Sequence, residues 1–80
     1  MKSIIVDDEA AARAITKQLC KKIEALTVAE EFENAIDAIK YLNNNTVDLI
    51  FLDIHMPTFS GFDFIQTLKN PPLIILTTSD

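Results

Sequence analysis

The sequence predicts an α/β fold built on an open, parallel β-sheet. Short apolar runs rich in β-branched residues recur along the chain, and amphipathic helical segments separate them. The strongest runs end in acidic or hydroxyl side chains. Strands that alternate with helices form βαβ units, in which right-handed crossovers connect parallel strands. The predicted order is β-α-β-α-β-α-β, within one domain of 80 residues.

The first strand is predicted at residues 3–6 (SIIV), because a continuous apolar run indicates burial on both faces of a sheet. Residues 10–26 are predicted to form an amphipathic helix whose apolar stripe contains Ile15, Leu19 and Ile23. The lysines of this segment are predicted to form a solvated face on the other side: Lys17, Lys21 and Lys22.

The second strand is predicted at residues 27–32 (TVAEEF), and its acidic residues suit an edge position. Asn34 is predicted to cap a second helix at residues 35–42, which the asparagines at 43–45 then end. The residues expected on the buried side of this helix are apolar: Ala35, Ile36, Ile39 and Leu42.

The third strand is predicted at residues 47–52 (VDLIFL), in a central position because its end is uniformly apolar. A short helix is predicted at residues 61–70, with Phe64 against a neighbouring element and two prolines following the helix. Its other apolar residues are expected to share one side: Phe62, Ile65 and Leu68. Residues 73–76 (LIIL) complete the predicted sheet.

Composition excludes several classes of function. A formal net charge of −5 argues against binding a nucleic-acid backbone or an anionic membrane directly. The single cysteine, Cys20, cannot form an internal disulfide, and no cysteine–histidine cluster suits zinc, so Cys20 is expected only to pack. No apolar stretch approaches the roughly 20 residues of a membrane helix, and the N-terminus resembles a strand more than a signal peptide. A cytoplasmic location is expected.

Polar side chains follow three of the predicted strands. Asp7 and Asp8 follow the first strand, Asp53 follows the third, and Thr77 and Thr78 follow the fourth. The carboxyl ends of parallel strands meet at one edge of the sheet, where α/β proteins bind ligands. Carboxylates brought together in this way raise each other's pKa values, and a hard divalent cation removes the conflict. Oxygen ligands alone favour Mg²⁺, Mn²⁺ or Ca²⁺ over zinc.

Three segments, IIVDDE, LIFLDIHMPTFSG and LIILTT, each contain or follow a predicted strand and occur in this order. Together they resemble the receiver domain of two-component response regulators. The resemblance covers the whole chain and implies a flavodoxin-like sheet with strand order 2-1-3-4. LIILTT and EFENAIDAIKYL are also similar to regulators with a LytTR-type DNA-binding output domain. DNA binding and transcription regulation would then belong to a longer parent protein.

The resemblance implies a role for each matching residue. Asp53 matches the phospho-acceptor, which receives its phosphoryl group from a histidine kinase or phosphotransfer protein. Asp53, Asp8 and the backbone carbonyl of His55 match ligands of Mg²⁺, for which Mn²⁺ or Ca²⁺ could substitute. Asp8 is favoured over Asp7 as a direct ligand, and a water-mediated role is left open for Asp7. Thr77 matches the hydroxyl that closes on the phosphoryl group.

Neighbouring residues receive smaller roles. Thr78 is a candidate for phosphate contact or a backbone role. Met56 and Pro57 are expected to shape the loop after Asp53, and Gly61 to supply a special backbone angle or a close approach. Glu9 is expected to act as a first-turn helix acid, and the His55 ring to face solvent.

The chain also departs from the family pattern. A full receiver has five βα units, and neither a fourth helix nor a fifth strand and helix is present in these 80 residues. The lysine that follows strand five in the family has no counterpart. We therefore expect an N-terminal part of a receiver domain, with an exposed apolar edge at residues 73–76 and a partly bare sheet face. A homo-oligomer, edge-paired or strand-exchanged, is the expected completion.

Two other functions stay open from the sequence. A phosphorylation-impaired assembly module is possible because the lysine is missing, although the acidic residues are intact. A phosphotransferase of the haloacid-dehalogenase type is disfavoured, because that family places a D-x-D motif after its N-terminal strand and this chain has adjacent acids there. The leading interpretation is a signalling module that accepts phosphoryl groups and is not a turnover enzyme.

Overall fold

The structure is a computed structural model that describes residues 1–56 and 60–77. These residues form a four-stranded sheet and three helices. The strands are β1 (Lys2–Val6), β2 (Thr27–Phe32), β3 (Leu49–Asp53) and β4 (Leu73–Thr77). The helices are α1 (Ala10–Lys21), α2 (Ala35–Asn44) and α3 (Gly61–Gln66).

The sheet is open and entirely parallel, with strand order β2-β1-β3-β4. This confirms the predicted fold class, the predicted order, and the edge position of β2. The two most buried strands, β1 and β3, lie in the centre and pair in register from Ser3 opposite Leu49 to Val6 opposite Leu52. Their carboxyl ends are therefore neighbours, which brings Asp7 and Asp8 close to Asp53.

The main core lies on one face of the sheet. Side chains alternate across a strand, so Ile4 and Val6 of β1 point to the same face as Ile50 and Leu52 of β3, and all four are fully buried. The chain crosses from β2 to β3 and from β3 to β4 in the same direction, so right-handed crossovers place α2 and α3 together on this face. The crossover from β1 to β2 runs the other way and places α1 on the opposite face.

The α1 stripe is exposed rather than packed on the sheet. Ile15, Leu19 and Ile23 are 63%, 56% and 52% exposed, whereas Cys20 is buried. The least exposed residues of α1 are instead Ala12, Arg13, Thr16 and Cys20, and Arg13 and Lys17, on the flank opposite the stripe, reach Glu31 of β2. The stripe therefore faces away from β2, on the side of β3 and β4. This agrees with the expectation that part of this sheet face is bare.

Two apolar residues predicted on buried helix faces lie in solvent instead. In α2, Ala38 packs in the core and Ile36 is 59% exposed, because Ile36 lies outside the stripe formed by positions 35, 38, 39 and 42. In α3, Phe64 is fully buried and Phe62 is 59% exposed. Two residues correspond to about 200° of helix rotation, so these two rings point in opposite directions.

Helix boundaries also differ from the prediction. α1 ends at Lys21, because the amides of the next two residues bond to carbonyls only three positions back and tighten the last turn. α3 ends at Gln66 for the same reason, and the Thr67 hydroxyl also donates to the carbonyl of Phe64. β3 begins at Leu49, two residues later than predicted, and its last residue is Asp53.

Two helix starts are capped by side chains. The Asn34 side chain accepts a hydrogen bond of 2.8 Å from the amide of Asp37, which confirms the predicted cap of α2. Ser60 caps α3 in the same way through the amide of Asp63, at 3.1 Å, and this cap was not predicted. In the described part of the chain, no helix is long and apolar enough to cross a membrane.

The contrast between the two phenylalanines of α3 gives a test of the fold. Phe64→Ala should lower the free energy of unfolding by about 3–5 kcal/mol, because it leaves a cavity in the core. Phe62→Ala is the matched control and should change it by less than about 0.5 kcal/mol. Urea unfolding followed by circular dichroism measures both, with Phe64→Leu as a milder variant if Phe64→Ala is unfolded. Equal effects of Phe62→Ala and Phe64→Ala would contradict the orientation of α3.

Candidate functional site

Three carboxylates converge at the carboxyl edge of the sheet. Asp7 and Asp8 directly follow β1, and Asp53 ends the adjacent β3. One carboxylate oxygen from each residue lies within 4.8 Å of the other two. Asp53 is fully buried and Asp7 is 4% exposed, while Asp8 faces solvent. The structure thus brings the three predicted acids together, in a cluster that opens to solvent on the side of Asp8.

The carboxylate of Asp53 has two different oxygens. Oδ1 accepts a hydrogen bond of 3.0 Å from the backbone amide of His55. Oδ2 is buried and has no hydrogen-bond partner among the residues that the structure describes. An unsatisfied buried carboxylate oxygen is costly, so Oδ2 is the position in this cluster most suited to a cation or a new covalent bond. Together with the oxygens of Asp7 and Asp8, it forms a donor set that fits a hard divalent cation.

Burial and neighbouring charges perturb Asp7. Burial raises the pKa of the Asp7 carboxyl, the hydrogen bond from the Glu9 amide (3.0 Å to Oδ1) opposes this, and the charges of Asp53, Asp8 and Glu9 raise it further. Each of these raising effects comes from bringing negative charge into one small, partly dry volume. A bound divalent cation would oppose these effects, because its positive charge lowers the pKa of a neighbouring carboxyl group.

The backbone of Asp7 is held from two sides. Its amide donates to the carbonyl of Phe32 in β2, at 3.0 Å. Its carbonyl accepts from Nη1 of Arg13 in α1, at 2.8 Å. Arg13 was not predicted as part of this site. The sequence held one signal for it, because Arg13 lies in the first turn of the helix that directly follows the acidic pair.

Glu9 lies at the N-cap of α1 rather than within its first turn, and its side chain makes no capping hydrogen bond. The His55 ring is exposed, as predicted. Met56 was predicted to shape the loop, and the structure places it in the core, 7% exposed. Pro57 and Thr78, for which roles were predicted, lie outside the residues that the structure describes.

Thr77 and Gly61 both lie next to Asp53. Thr77 lies directly opposite Asp53 in the β3–β4 register, and its carbonyl accepts from the amide of Ile54 at 3.2 Å. At Gly61 the prediction left two possibilities, and the structure shows a close approach. A Cβ there would lie 2.9 Å from the Cα of Ile54 and 3.1 Å from the carbonyl oxygen of Asp53. Its φ is not positive.

With this geometry established, comparison with known proteins identifies the family. The family model for the response regulator receiver domain matches residues 4–80. The chain belongs to this family. It is 40% identical to the sensory transduction protein LytR of Staphylococcus haemolyticus over 82 aligned positions, which cover 99% of the chain and 32% of that protein. The transcriptional regulatory protein YpdB of Escherichia coli K12 is 34% identical, with 99% and 34% covered.

Solved receiver structures agree with the fold. The response regulatory domain of mrkE from Klebsiella pneumoniae superposes with a TM-score of 0.87 at 33% identity, covering 99% of this chain and 67% of that one. The isolated receiver domain of RcsB from Salmonella enterica serovar Typhimurium, solved with the phosphomimetic BeF₃⁻, gives 0.88 at 28% identity, covering 100% and 62%. The chain spans about a third of the length of the curated relatives it matches.

The raised pKa of Asp7 predicts a pH-dependent stability. At pH 7 without divalent cations, the folded receiver buries an ionised Asp7, and Asp7→Asn should therefore raise the free energy of unfolding. This stabilisation by Asp7→Asn should shrink as the pH falls through the raised pKa of Asp7 in the folded state towards its ordinary value of 3.8. In that pH range Asp7 of the folded wild type is protonated before Asp7 of the unfolded chain, so the folded wild type no longer buries a charge. Urea unfolding in EDTA at pH 7 and pH 4 measures this.

The exposed acid Asp63 provides the control for this measurement, because Asp63→Asn removes the same charge away from the cluster. Asp63→Asn should lower the unfolding free energy at pH 7 by about 0.3–1 kcal/mol, the opposite direction to Asp7→Asn, because the dipole of α3 favours an acid in its first turn. Destabilisation by Asp7→Asn at pH 7 in EDTA would contradict the predicted electrostatics of the cluster.

Proposed function

We propose that this receiver accepts a phosphoryl group on Asp53 from a histidine kinase or a phosphotransfer protein, in a Mg²⁺-dependent reaction. The observation that carries the proposal is oxygen Oδ2 of Asp53, which is buried beside two further carboxylates and accepts no hydrogen bond from the described residues. Asp8, Asp53 and the carbonyl of His55 would hold the cation, and Asp7 would act directly or through water. Mn²⁺ or Ca²⁺ could replace Mg²⁺ in the same oxygen environment.

The proposed reaction uses Asp53 as the nucleophile. The hydrogen bond from the His55 amide to Oδ1 fixes the rotation of the carboxylate and leaves Oδ2 to attack phosphorus. An O–P bond forms at Oδ2 and the N–P bond of the donor's phosphohistidine breaks, which gives an acyl phosphate. When bound, Mg²⁺ supplies positive charge for the phosphoryl oxygens. Burial of Asp53 keeps the reacting oxygen away from bulk water.

The proposed switch uses Thr77. An aspartyl phosphate adds negative charge and new hydrogen-bond acceptors, by analogy with about −1.5 to −2 for other protein phosphates. The residue directly opposite Asp53 on the neighbouring strand is Thr77, whose hydroxyl can donate to such an acceptor. Its carbonyl is bonded to the amide of Ile54, so a displacement of Thr77 also pulls on the loop after Asp53. A phosphate contact from Thr78 stays a prediction.

The comparisons favour this proposal over the other functions considered. A receiver family model matches residues 4–80 and gives no support to a haloacid-dehalogenase-type phosphotransferase. The intact cluster of Asp7, Asp8 and Asp53 disfavours a phosphorylation-impaired assembly module. We propose that the receiver changes partner interactions rather than turning over a substrate. Similarity to proteins named LytR and YpdB supports transcription regulation by a longer parent protein. The N-terminal-fragment assignment, the LytTR-type output domain and the cytoplasmic location stay predictions.

Incubation with acetyl phosphate and Mg²⁺, followed by intact mass spectrometry, tests the reaction. We expect one labile phosphoryl adduct per chain, lost in Asp53→Asn and absent when EDTA replaces Mg²⁺. Asp63→Asn, which removes an exposed acid of α3, is the control and should form the adduct normally.

Two results would overturn the proposed reaction. No adduct on folded wild type with Mg²⁺ would support a phosphorylation-impaired module. Continuous release of phosphate from small phosphate esters would support a phosphotransferase that turns over.

We propose in addition that β4 pairs with a second copy of the chain. β4 is an edge of the sheet, and its apolar side chains are exposed: Leu73 by 66%, Ile75 by 47% and Leu76 by 44%. An apolar edge strand with free backbone groups is a template for another strand. Antiparallel pairing about a two-fold axis would join two sheets and bury the same residues on both copies.

Edge pairing predicts an effect of charge on β4. Ile75→Lys should convert a dimer into a monomer, because a lysine on an edge strand opposes pairing. Ile36→Lys is the matched control, since Ile36 is exposed to a similar degree on α2, and it should leave the dimer intact. Sedimentation equilibrium over a range of concentrations measures both. A well-folded wild-type monomer at high concentration would rule out the pairing.

A further inference from the structure

Two cationic side chains of α1 bind the same carboxylate on β2. Nε of Arg13 lies 3.2 Å from Oε1 of Glu31, and Nζ of Lys17 lies 3.0 Å from Oε2. Of these two side chains, only Arg13 also contacts the carboxylate site, because its Nη1 donates a hydrogen bond of 2.8 Å to the carbonyl of Asp7. Lys17, predicted to belong to a solvated face, is 48% exposed, whereas the Arg13 side chain is only 16% exposed.

The guanidinium of Arg13 is held in one plane by its two partners. A guanidinium presents several donors in a rigid fork, so fixing Nε on Glu31 also fixes the direction of Nη1. Glu31 is a stable anchor, because hydrogen bonds from Lys17 and then Arg13 lower its pKa against the effect of partial burial. The result is a continuous connection from edge strand β2, through Arg13, to the peptide between Asp7 and Asp8.

This connection reinforces a direct one. Phe32, the residue after Glu31, accepts a hydrogen bond from the amide of Asp7. Strand β2 therefore holds both the amide and, through Arg13, the carbonyl of Asp7. The peptide that begins at this carbonyl carries Asp8, the exposed member of the carboxylate cluster. Fixing this peptide reduces the number of orientations that Asp8 can adopt.

We propose that Arg13 is a positioning residue, anchored by Glu31, that fixes the Asp7–Asp8 peptide so that the carboxylates of Asp7, Asp8 and Asp53 present a preformed cation site. The inference rests on the proposed function, since it concerns the same site. Arg13 acts through the Asp7 carbonyl and contacts neither the cation nor the phosphoryl group. Groups that orient metal ligands from outside the coordination sphere typically change affinity by 10-fold to 100-fold.

The chain offers a matched pair of variants for the test. Arg13→Met removes both hydrogen bonds, and Lys17→Met removes a cation from the same carboxylate without touching the Asp7 carbonyl. Binding of Mn²⁺ is measured by the electron paramagnetic resonance signal of the free ion. We expect Arg13→Met to weaken Mn²⁺ binding by about tenfold and Lys17→Met to leave it unchanged.

A double-mutant cycle then tests the anchor. Glu31→Gln should weaken Mn²⁺ binding when Arg13 is present and cause no further loss when Arg13 is already methionine. Arg13→Lys, which keeps the charge without the planar fork, should lose affinity like Arg13→Met. Equal Mn²⁺ affinity in wild type and Arg13→Met, or full affinity in Arg13→Lys, would overturn the inference.

A metal-free measurement separates this inference from the proposed function. In EDTA, the amide NMR signals of Asp8 and Glu9 should shift and exchange with solvent faster in Arg13→Met, but not in Lys17→Met. If the wild type binds no Mn²⁺, the proposed cation site is wrong, but the NMR measurement still tests whether Arg13 positions the Asp7–Asp8 peptide. Unchanged amide signals in Arg13→Met would overturn the positioning role. Arg13→Lys replaces Arg13→Met in both measurements if the methionine variant does not fold.

Discussion

The side-by-side burial of Asp7 and Asp53 is the constraint on which the rest of this receiver depends. Both residues lie at the carboxyl ends of central strands, and the parallel pairing of β1 with β3 places their carboxylates next to each other. The surrounding backbone compensates in part, because one oxygen of each carboxylate accepts an amide hydrogen bond from two residues ahead. Neither carboxylate forms a salt bridge with the described residues, so uncompensated negative charge remains at this edge of the sheet.

The two faces of the sheet hold the carboxylates in place by different kinds of contact. The face under α2 and α3 holds a continuous core that fixes β1 and β3 and so fixes the carboxylates. The other face is covered by α1, which contacts β1 and β2 and turns its apolar stripe towards open solvent. Hydrophobic packing under α2 and α3 thus fixes the strands that carry the site, and hydrogen bonds and ion pairs between α1 and β2 hold the backbone of Asp7. One face of the sheet therefore holds a closely packed core, whereas α1 on the other face leaves apolar side chains exposed.

Much of this arrangement was accessible from the sequence. The apolar runs predicted the strands because parallel strands buried on both faces need uninterrupted hydrophobic residues, and the acids after two of them predicted the cluster. The helix faces were harder, since Ile36 and Phe62 are as apolar as their buried neighbours and only the packing geometry decides between them. Arg13 was missed because its partners are a backbone carbonyl and a residue 18 positions away, and neither follows from a local pattern.

Gly61 has a mechanical consequence for the molecule. The start of α3 lies so close to Ile54 that not even a methyl group fits between them, and the amide of Gly61 is bonded to the carbonyl of Ile54. Ile54 and the first turn of α3 are therefore held in direct backbone contact. The backbone next to Asp53 is thus tied to the helix that carries the buried ring of Phe64 and the exposed ring of Phe62, so a displacement of Ile54 would be transmitted to both rings.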